Sequence, residues 1–527
     1  MNAWNAAWRA QALAELAARQ WDVIVVGGGI CGAGILLEAA RHGWSCLLIE
    51  QRDFAWGTSS RSSKMVHGGL RYIATGQFAL TRASVRERQR LLSEAPGLVE
   101  PLSFLMPHYR GRFPGPTLLG GLLTLYDALA GGRTHRYYPL AQLRYLAPGL
   151  REERLLGGTR FYDALTDDAR LVMRVLGEAR AAGGEALNGL KVLALQRSAG
   201  RVNGLFAEDV ESGRTFSFRA RVVAQATGAW TERLRLHAGI GPLRPLRGSH
   251  LLLPAWRLPL AHAVTFLHER DGRPVFVFPW EGATVIGTTD LDHRDGLDRE
   301  ARISGEEVDY LLAACAQQFP QAQIGRDDVR STWAGVRPVL GGGVPGTKPS
   351  DEKREHALCC EPGCVTLVGG KLTTFRLLAR DVLRACAPML GKSPDEPPGA
   401  LFRAPPPLEL PGLSPRQQRR LAGRYGRELP TLAQLLGELG SEAVGATDTL
   451  WVELAFAAGH ELVLHLDDLL LRRTRLGLLL ANGAAAELPR IRAVCQSRLG
   501  WDDARWDEEQ RRYLQLWRRC HSLPESR

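Results

Sequence analysis

The chain has no apolar run of about 18 residues, the length a membrane-spanning helix needs. Its longest apolar stretches, around Leu118–Leu129 and Leu476–Ala481, are broken by Gly, Asp or Asn. Met1–Gln20 is not expected to be a secretory signal, because it carries Arg9, Glu15 and Arg19 where such a segment is continuously apolar. No block of five or six basic residues occurs, so the net charge of +11 does not point to nucleic acid. Lysine is scarce, with six residues, and the positive charge is nearly all arginine. That excess suits a membrane surface or a phosphorylated substrate. The nine cysteines offer no disulfide framework, because their number is odd and no signal precedes them. Cys359, Cys360 and Cys364 lie close together, but no second pair follows at zinc spacing. No metal and no iron–sulfur cluster is expected.

What is present is enough chain, 527 residues, for two or three structural units. Trp4, Trp8, Ala12 and Leu16 recur at four-residue steps and predict an N-terminal helical extension over residues 1–20, packed on the body or lying on a membrane. Asp22–Val26 reads as a buried strand, followed by a glycine turn, a helix to about His42 and a strand Ser45–Glu50. That is a βαβ unit. A helix over Ala169–Ala182, a hairpin over Lys191–Asp209 and a strand Ala220–Ala226 continue the α/β pattern. From Gly248 to Asp290 the period shifts toward two, predicting a sheet that is mainly antiparallel. The strand Cys364–Val368 then leads into a helix starting near Thr373. Prolines crowd Ser393–Pro415 and predict an extended linker before a separate all-helical domain.

The expected fold is therefore α/β: a Rossmann-like nucleotide-binding region interleaved with an antiparallel-sheet domain, plus a helical C-terminal domain. The interleaved α/β region is residues 21–392. Its nucleotide-binding segments fall near 21–85, 155–245 and 330–392, and its antiparallel-sheet segments near 86–154 and 246–329. Residues 393–415 form the linker and 416–527 the helical domain.

Gly27-Gly28-Gly29-Ile30-Cys31-Gly32 fits the G-x-G-x-x-G dinucleotide pattern, and Gly34 extends it. Gly27 permits the turn, Gly29 lets backbone approach a pyrophosphate, and Gly32 lets the helix pack close. The helix start offers N–H groups and a positive dipole end to phosphate. Glu50, 18 residues past Gly32, can accept a ribose 2′-hydroxyl and disfavours a 2′-phosphate there. Later strand ends at Ala226-Thr227-Gly228 and Gly369-Gly370-Lys371 converge on the same place in this topology, which suits a large bound flavin better than a passing nicotinamide.

Residues 22–76 carry Val23-Ile24-Val25-Val26-Gly27-Gly28-Gly29, Thr58-Ser59-Ser60-Arg61-Ser62-Ser63-Lys64 and His67-Gly68-Gly69-Leu70-Arg71-Tyr72. Further on stand Thr166-Asp167-Asp168-Ala169-Arg170-Leu171, Gly248-Ser249-His250, Ile286-Gly287-Thr288-Thr289-Asp290 and Gly335-Val336-Arg337-Pro338. Gly369-Gly370-Lys371-Leu372-Thr373-Thr374-Phe375-Arg376 and Asp467–Arg475 complete the set. In this order the chain resembles the FAD-dependent, quinone-linked glycerol-3-phosphate dehydrogenases from residue 22 onward. The resemblance implies oxidation of glycerol 3-phosphate to dihydroxyacetone phosphate with FAD as hydride acceptor and a membrane quinone as electron sink. It also implies a cytoplasmic protein attached peripherally to the inner face of the membrane, and is compatible with a homodimer. Gly341–Asp351 departs from the pattern in its glycine content, and the tail, with Cys495 and Cys520 alone, departs from a subgroup bearing iron–sulfur elements.

With the resemblance, Ser59, Ser60 and Lys64 are expected at the FAD phosphates or the flavin edge, with Gly228, Gly370 and Lys371 on the cofactor too. An ordinary polar loop is the plain alternative for the serines. Arg71, Arg337 and Lys371 are the candidates for gripping substrate phosphate, with Tyr72, Thr289 and Asp290 beside them. A proton acceptor for the C2 hydroxyl is also required, and histidine titrates in the right range. His250 is preferred, His67 next; either could equally be structural. A related oxidase and an amino-acid oxidase or dehydrogenase of the same fold remain as alternatives.

Overall fold

The computed structural model describes residues 4–70, 73, 76–132, 134–234, 243–340, 356–393 and 399–525. Its first sheet is built around the strand Gln20–Val26, which runs parallel to Cys46–Ile49 on one side and Thr215–Gln225 on the other. Glu185–Leu187 and Cys364–Val368 extend the parallel set outward. Alternate residues of the central strand serve opposite faces, as the period of two demands. Val23 and Val25 join a core with the helices Ile30–Arg41, Asp168–Ala181 and Phe375–Leu390. Ile24 and Val26 join another with the hairpin Leu190–Ser198/Arg201–Asp209 and the N-terminal helix Ala6–Ala18. Burial on both faces is why the strand reads as one apolar run.

The N-terminal helix packs on the body, one of its two expected placements. Arg9, buried, pairs with Asp209 at 2.7 Å, and Trp4 stacks on Phe54 with ring centroids 5.3 Å apart. Cys359 and Cys360 sit in the strand Ala357–Glu361, and Cys364 in its neighbour. Among the described residues no group of three or more His, Cys, Asp or Glu is arranged to hold a metal.

Among the described residues the second sheet has ten strands and is antiparallel except where Ala263–Leu267 runs parallel to Val99–Tyr109. Three of its strands correct the sequence reading. Leu155–Thr166 and Ser331–Leu340 pair here, with Val99–Tyr109 and Leu243–Pro254, and Met65–Val66 pairs with Leu155–Thr166, rather than with the nucleotide-binding segments. Their apolar residues signalled burial, but a strand's own pattern does not say which sheet it joins.

The described part of the proline-rich segment, residues 399–414, is an irregular strap on the body and not a free spacer. Leu401 and Phe402 are buried in the first core, and the Glu94 carboxylate accepts from both their N–H groups. Nor is the helical tail separate. Trp451, Leu470, Trp506 and Trp517 share one core with Leu252, Phe278, Trp280 and Trp333 of the second sheet. Buried ion pairs add direction to that contact. Asp53 receives Arg472 and Arg473, and Glu461 receives Arg170. Asp53 is disfavoured by burial, but the two guanidiniums outweigh this and hold it below the usual carboxylate range. Removing one partner from such a pair costs about 3–5 kcal/mol, so these contacts fix the tail's placement even where they add little net stability.

Candidate active site

The glycine turn leaves the end of Gln20–Val26 with Gly27 at φ +112°, a conformation L side chains rarely adopt. A Cβ on Gly32 would stand 1.8 Å from the Gly27 carbonyl oxygen, so this glycine is required for the helix to close on the turn. A Cβ on Gly28 would meet the Glu50 and Phe54 side chains at 2.8 and 2.9 Å. Gly29 differs. A Cβ there would meet the Ser59 side chain at 3.0 Å and no backbone, which leaves that side of the turn open to a ligand. Gly29 is also the N-cap of Ile30–Arg41 and supplies no side-chain cap. The helix start is thus available to phosphate, as a dinucleotide cofactor requires. Gly34 needs correction: its Cβ would strike the Phe375 ring at 2.7 Å, so it is small for packing between two helices and not for the cofactor.

Glu50 accepts from Gly28 N–H at 2.6 Å and Arg52 N–H at 2.9 Å. Burial raises its pKa, with the two N–H groups working against that shift. Each carboxylate oxygen keeps a lone pair for a ribose hydroxyl. Gly228, at φ +55°, opens the turn after Thr215–Gln225 with nothing near its would-be Cβ. Gly370 lies against Cys31 Sγ, whose thiol burial pushes up to about 12, so it is no thiolate nucleophile.

The loop after the second strand divides into two parts. Ser59 Oγ accepts from Ile30 N–H at 3.0 Å and so sits at the glycine turn. Ser60 is buried, and its carbonyl accepts from Lys64 Nζ at 2.8 Å and Arg475 at 3.2 Å. Lys64 is fully buried, with Nζ bonded to Asp168 at 2.9 and 3.1 Å and held over the Trp333 and Trp280 rings. Burial pulls its pKa down to about 8 against the pull of Asp168. Lys64 and the Ser60 carbonyl therefore tie the loop to the helix Asp168–Ala181, which corrects the expectation that this ammonium faces the cofactor.

His250, on Leu243–Pro254, is buried and stacked on Trp333 with centroids 4.8 Å apart. Its Nε2 is 2.9 Å from Ser63 Oγ, and its Nδ1 has no hydrogen-bond partner among the described residues. Burial, then Lys64 and Arg337, hold its pKa well below 6.5, so the ring is neutral at neutral pH. Arg337 lies on the adjacent strand, opposite Leu246, with its guanidinium 3.6 Å from Asp290. Gly248 makes room for it, since a Cβ there would stand 3.0 Å from the Arg337 NH2 atom. Thr289 needs correction. Its hydroxyl accepts from Ser249 N–H at 2.9 Å and donates to Glu307 at 2.7 Å, so it braces the sheet instead of meeting substrate. His67 is exposed, and its carbonyl accepts from Thr373 Oγ1 at 3.2 Å, which joins this loop to the loop bearing Gly370 and Lys371. Lys371 is half-buried at that strand end. Arg71 and Tyr72 lie outside the described residues.

Four participants carried no assigned role in the sequence reading: Ser63, Trp333, Asp168 and Arg475. Arg475 comes from the helical tail, pairs with Asp167 at 2.9 Å and with Asp168, and donates to the Ser60 carbonyl. Nothing local marks these residues, because their partners are brought in from distant chain.

Residues 22–376 match the family described as FAD dependent oxidoreductase, and residues 360–506 match the C-terminal domain of alpha-glycerophosphate oxidase. The chain is 35% identical over 532 aligned residues to glycerol-3-phosphate dehydrogenase 2 of Mycobacterium bovis, covering 96% of this chain and 90% of that protein. It is 32% identical to the aerobic glycerol-3-phosphate dehydrogenase of Staphylococcus haemolyticus, covering 86% of each. Among solved structures it resembles the glycerol-3-phosphate dehydrogenase from Bacillus halodurans complexed with FAD, with TM-score 0.77, 29% identity, and 97% and 96% of the two chains covered.

Proposed function

We propose a function from one premise: the chain belongs to the family of FAD-dependent oxidoreductases that includes these glycerol-3-phosphate dehydrogenases. It oxidises glycerol 3-phosphate at C2 to dihydroxyacetone phosphate and passes the electrons to a quinone. The observation that carries the reading is the grouping of Arg337, Asp290 and the unpartnered His250 Nδ1 on the sheet that closes over the Ser59–His67 loop. Gly27, Gly29, Gly32, Ser59 and Glu50 hold FAD, which when bound supplies the hydride acceptor. Arg337, with Arg71 and Lys371, grips the phosphate through charge-assisted hydrogen bonds. Ser63 Oγ keeps the proton of His250 on Nε2, leaving the Nδ1 lone pair to take the proton of the C2 hydroxyl. The test is anaerobic mixing with glycerol 3-phosphate: the flavin absorbance should bleach, while D-amino acids leave it unchanged. The reduced protein should then reoxidise faster with a ubiquinone analogue than with oxygen. No bleaching sinks the reading, and rapid hydrogen peroxide formation turns it to the oxidase.

Because His250 is held neutral to well below pH 6.5, kcat/KM should stay flat through pH 6.5 and decline only well below it. The sign follows from the role: a base fails once it is protonated, and a depressed pKa moves that failure to lower pH. An acid limb centred at or above 6.5 removes His250 from the role.

Quinone reduction requires a membrane surface, and among the described residues no helix is long and apolar enough to cross one. The helix Pro116–Ala130 supports attachment to its surface. Leu118 and Leu125 on it, and Phe113 just before it, are exposed by 50%, 40% and 73%. No charge occurs between Arg112 and Asp127, while Arg110, Arg112 and Arg136 flank the stretch. Such an apolar face with basic borders suits an anionic lipid interface. Leu118→Asp combined with Leu125→Asp should abolish co-sedimentation with phosphatidylglycerol vesicles while leaving turnover with a soluble dye intact. Unchanged sedimentation rules this face out.

A further inference from the structure

Two contacts fix the His250 ring. The stack on Trp333, with 4.8 Å between centroids and 11° between planes, sets the plane of the ring. The hydrogen bond between Ser63 Oγ and Nε2, at 2.9 Å, sets its rotation within that plane. Together they decide where the Nδ1 lone pair points, and proton transfer depends steeply on such alignment. Both contacts lead back to one buried pair from distant chain, Glu300 and His521. Glu300 lies between the strand Leu291–Asp292 and the helix Gly305–Gln318, and His521 follows the tail helix Asp503–Cys520. His521 Nε2 is 3.0 Å from Glu300 Oε1.

One arm runs from His521 to Trp333. The His521 carbonyl accepts from Thr332 N–H at 2.8 Å, and His521 Nδ1 donates to the Thr332 carbonyl at 2.9 Å, since a carbonyl can only accept. Thr332 is thus held by both of its backbone groups, one residue before Trp333. The other arm runs from Glu300 to Ser63. Arg61, buried, pairs with Glu300 at 2.7 Å and stands two residues before Ser63. The Trp333 indole N–H donates to the Ser62 carbonyl at 3.2 Å and closes the circuit between the arms. Burial disfavours the charge on Glu300, but Arg61 and His521 outweigh this and hold its carboxyl well below the usual range. It stays an acceptor for both. Apolar side chains of the same size could stabilise this place as well, but they would not aim the two arms. We propose that His521, seated on Glu300, is a positioning residue for proton removal from the C2 hydroxyl, acting through Thr332 and Trp333 on the His250 ring. The inference rests on the reading of His250 as the base.

The test is the anaerobic reductive half-reaction of the FAD-loaded full chain, followed by flavin bleaching over a range of glycerol 3-phosphate concentrations. His521→Ala should slow the limiting rate of reduction about 10- to 100-fold, as a misaimed base would, and leave the apparent Kd for substrate within about twofold. His521→Gln, which keeps a donor, should lose less, and it carries the test if FAD content and circular dichroism show the alanine protein misfolded. Trp333→Leu, which removes the flat ring, supplies the discriminating background. Because His521 acts through Trp333, adding His521→Ala there should slow reduction by no more than about twofold further. A parental reduction rate in His521→Ala, a loss confined to Kd, or equal His521→Ala losses in both backgrounds overturns the inference and leaves the catalytic reading standing. A parent that glycerol 3-phosphate does not reduce fails in the same assay before any variant, and removes that reading and this inference together.

Discussion

Gly29→Val should fold yet fail to hold FAD. Most glycines of the turn cannot test the cofactor cleanly, because a side chain would first collide with protein: Gly32 with the Gly27 carbonyl, Gly34 with the Phe375 ring. At Gly29 the sole near neighbour is the Ser59 hydroxyl, and its φ of −80° is open to any residue. A branched Cβ there therefore acts mainly on the ligand, standing where phosphate must approach the helix start. Hydrogen bonds to charged groups contribute roughly 1.5–3 kcal/mol each. Losing two weakens FAD binding by roughly 100-fold or more. The measurement is flavin retained through gel filtration, with circular dichroism to confirm the fold. A yellow Gly29→Val protein with parental FAD content would mean that the turn does not cradle the pyrophosphate.

Arg337→Ala is expected to cost glycerol 3-phosphate oxidation about 10- to 150-fold in kcat/KM, the equivalent of one charge-assisted hydrogen bond of roughly 1.5–3 kcal/mol. FAD should stay bound, since the contacts assigned to it lie on other elements. The neighbouring Asp290, 3.6 Å away, orients the guanidinium in the absence of substrate. Glycerol, which lacks the phosphate, should be oxidised no worse by the variant than by the parent. Arg337→Lys should recover part of the loss, because an ammonium cannot reproduce the planar two-point grip. Steady-state kinetics with both substrates and an artificial acceptor make the comparison. Equal damage to both substrates would place Arg337 on the flavin or the chemistry and not on the phosphate.

The corrections share one physical origin. Lys64 and Ser60 stood in a motif beside the nucleotide turn, and local position suggested the cofactor. Asp168 lies 104 residues further along and Arg475 comes from the tail, and together they take up the ammonium and the carbonyl. Thr289 is likewise occupied by Glu307 on a following helix. The prolines predicted an extended segment, but whether Leu401 and Phe402 would find a core to enter was not a property of that segment.

The sequence by itself determined what depends on neighbours along the chain. It specified the strand, glycine turn, helix and second strand of the nucleotide unit, the small residues that the turn requires and the acid at Glu50. These follow from periodicity and steric limits acting over a few residues. The tertiary structure decided which sheet each later strand joined, that the helical tail shares a core with the second sheet, and which charges were spent on each other before any ligand could use them. An apolar run states that a surface will be buried, and a charged side chain states that a partner will be needed. Neither names the partner, because that choice is made by the packing of elements hundreds of residues apart.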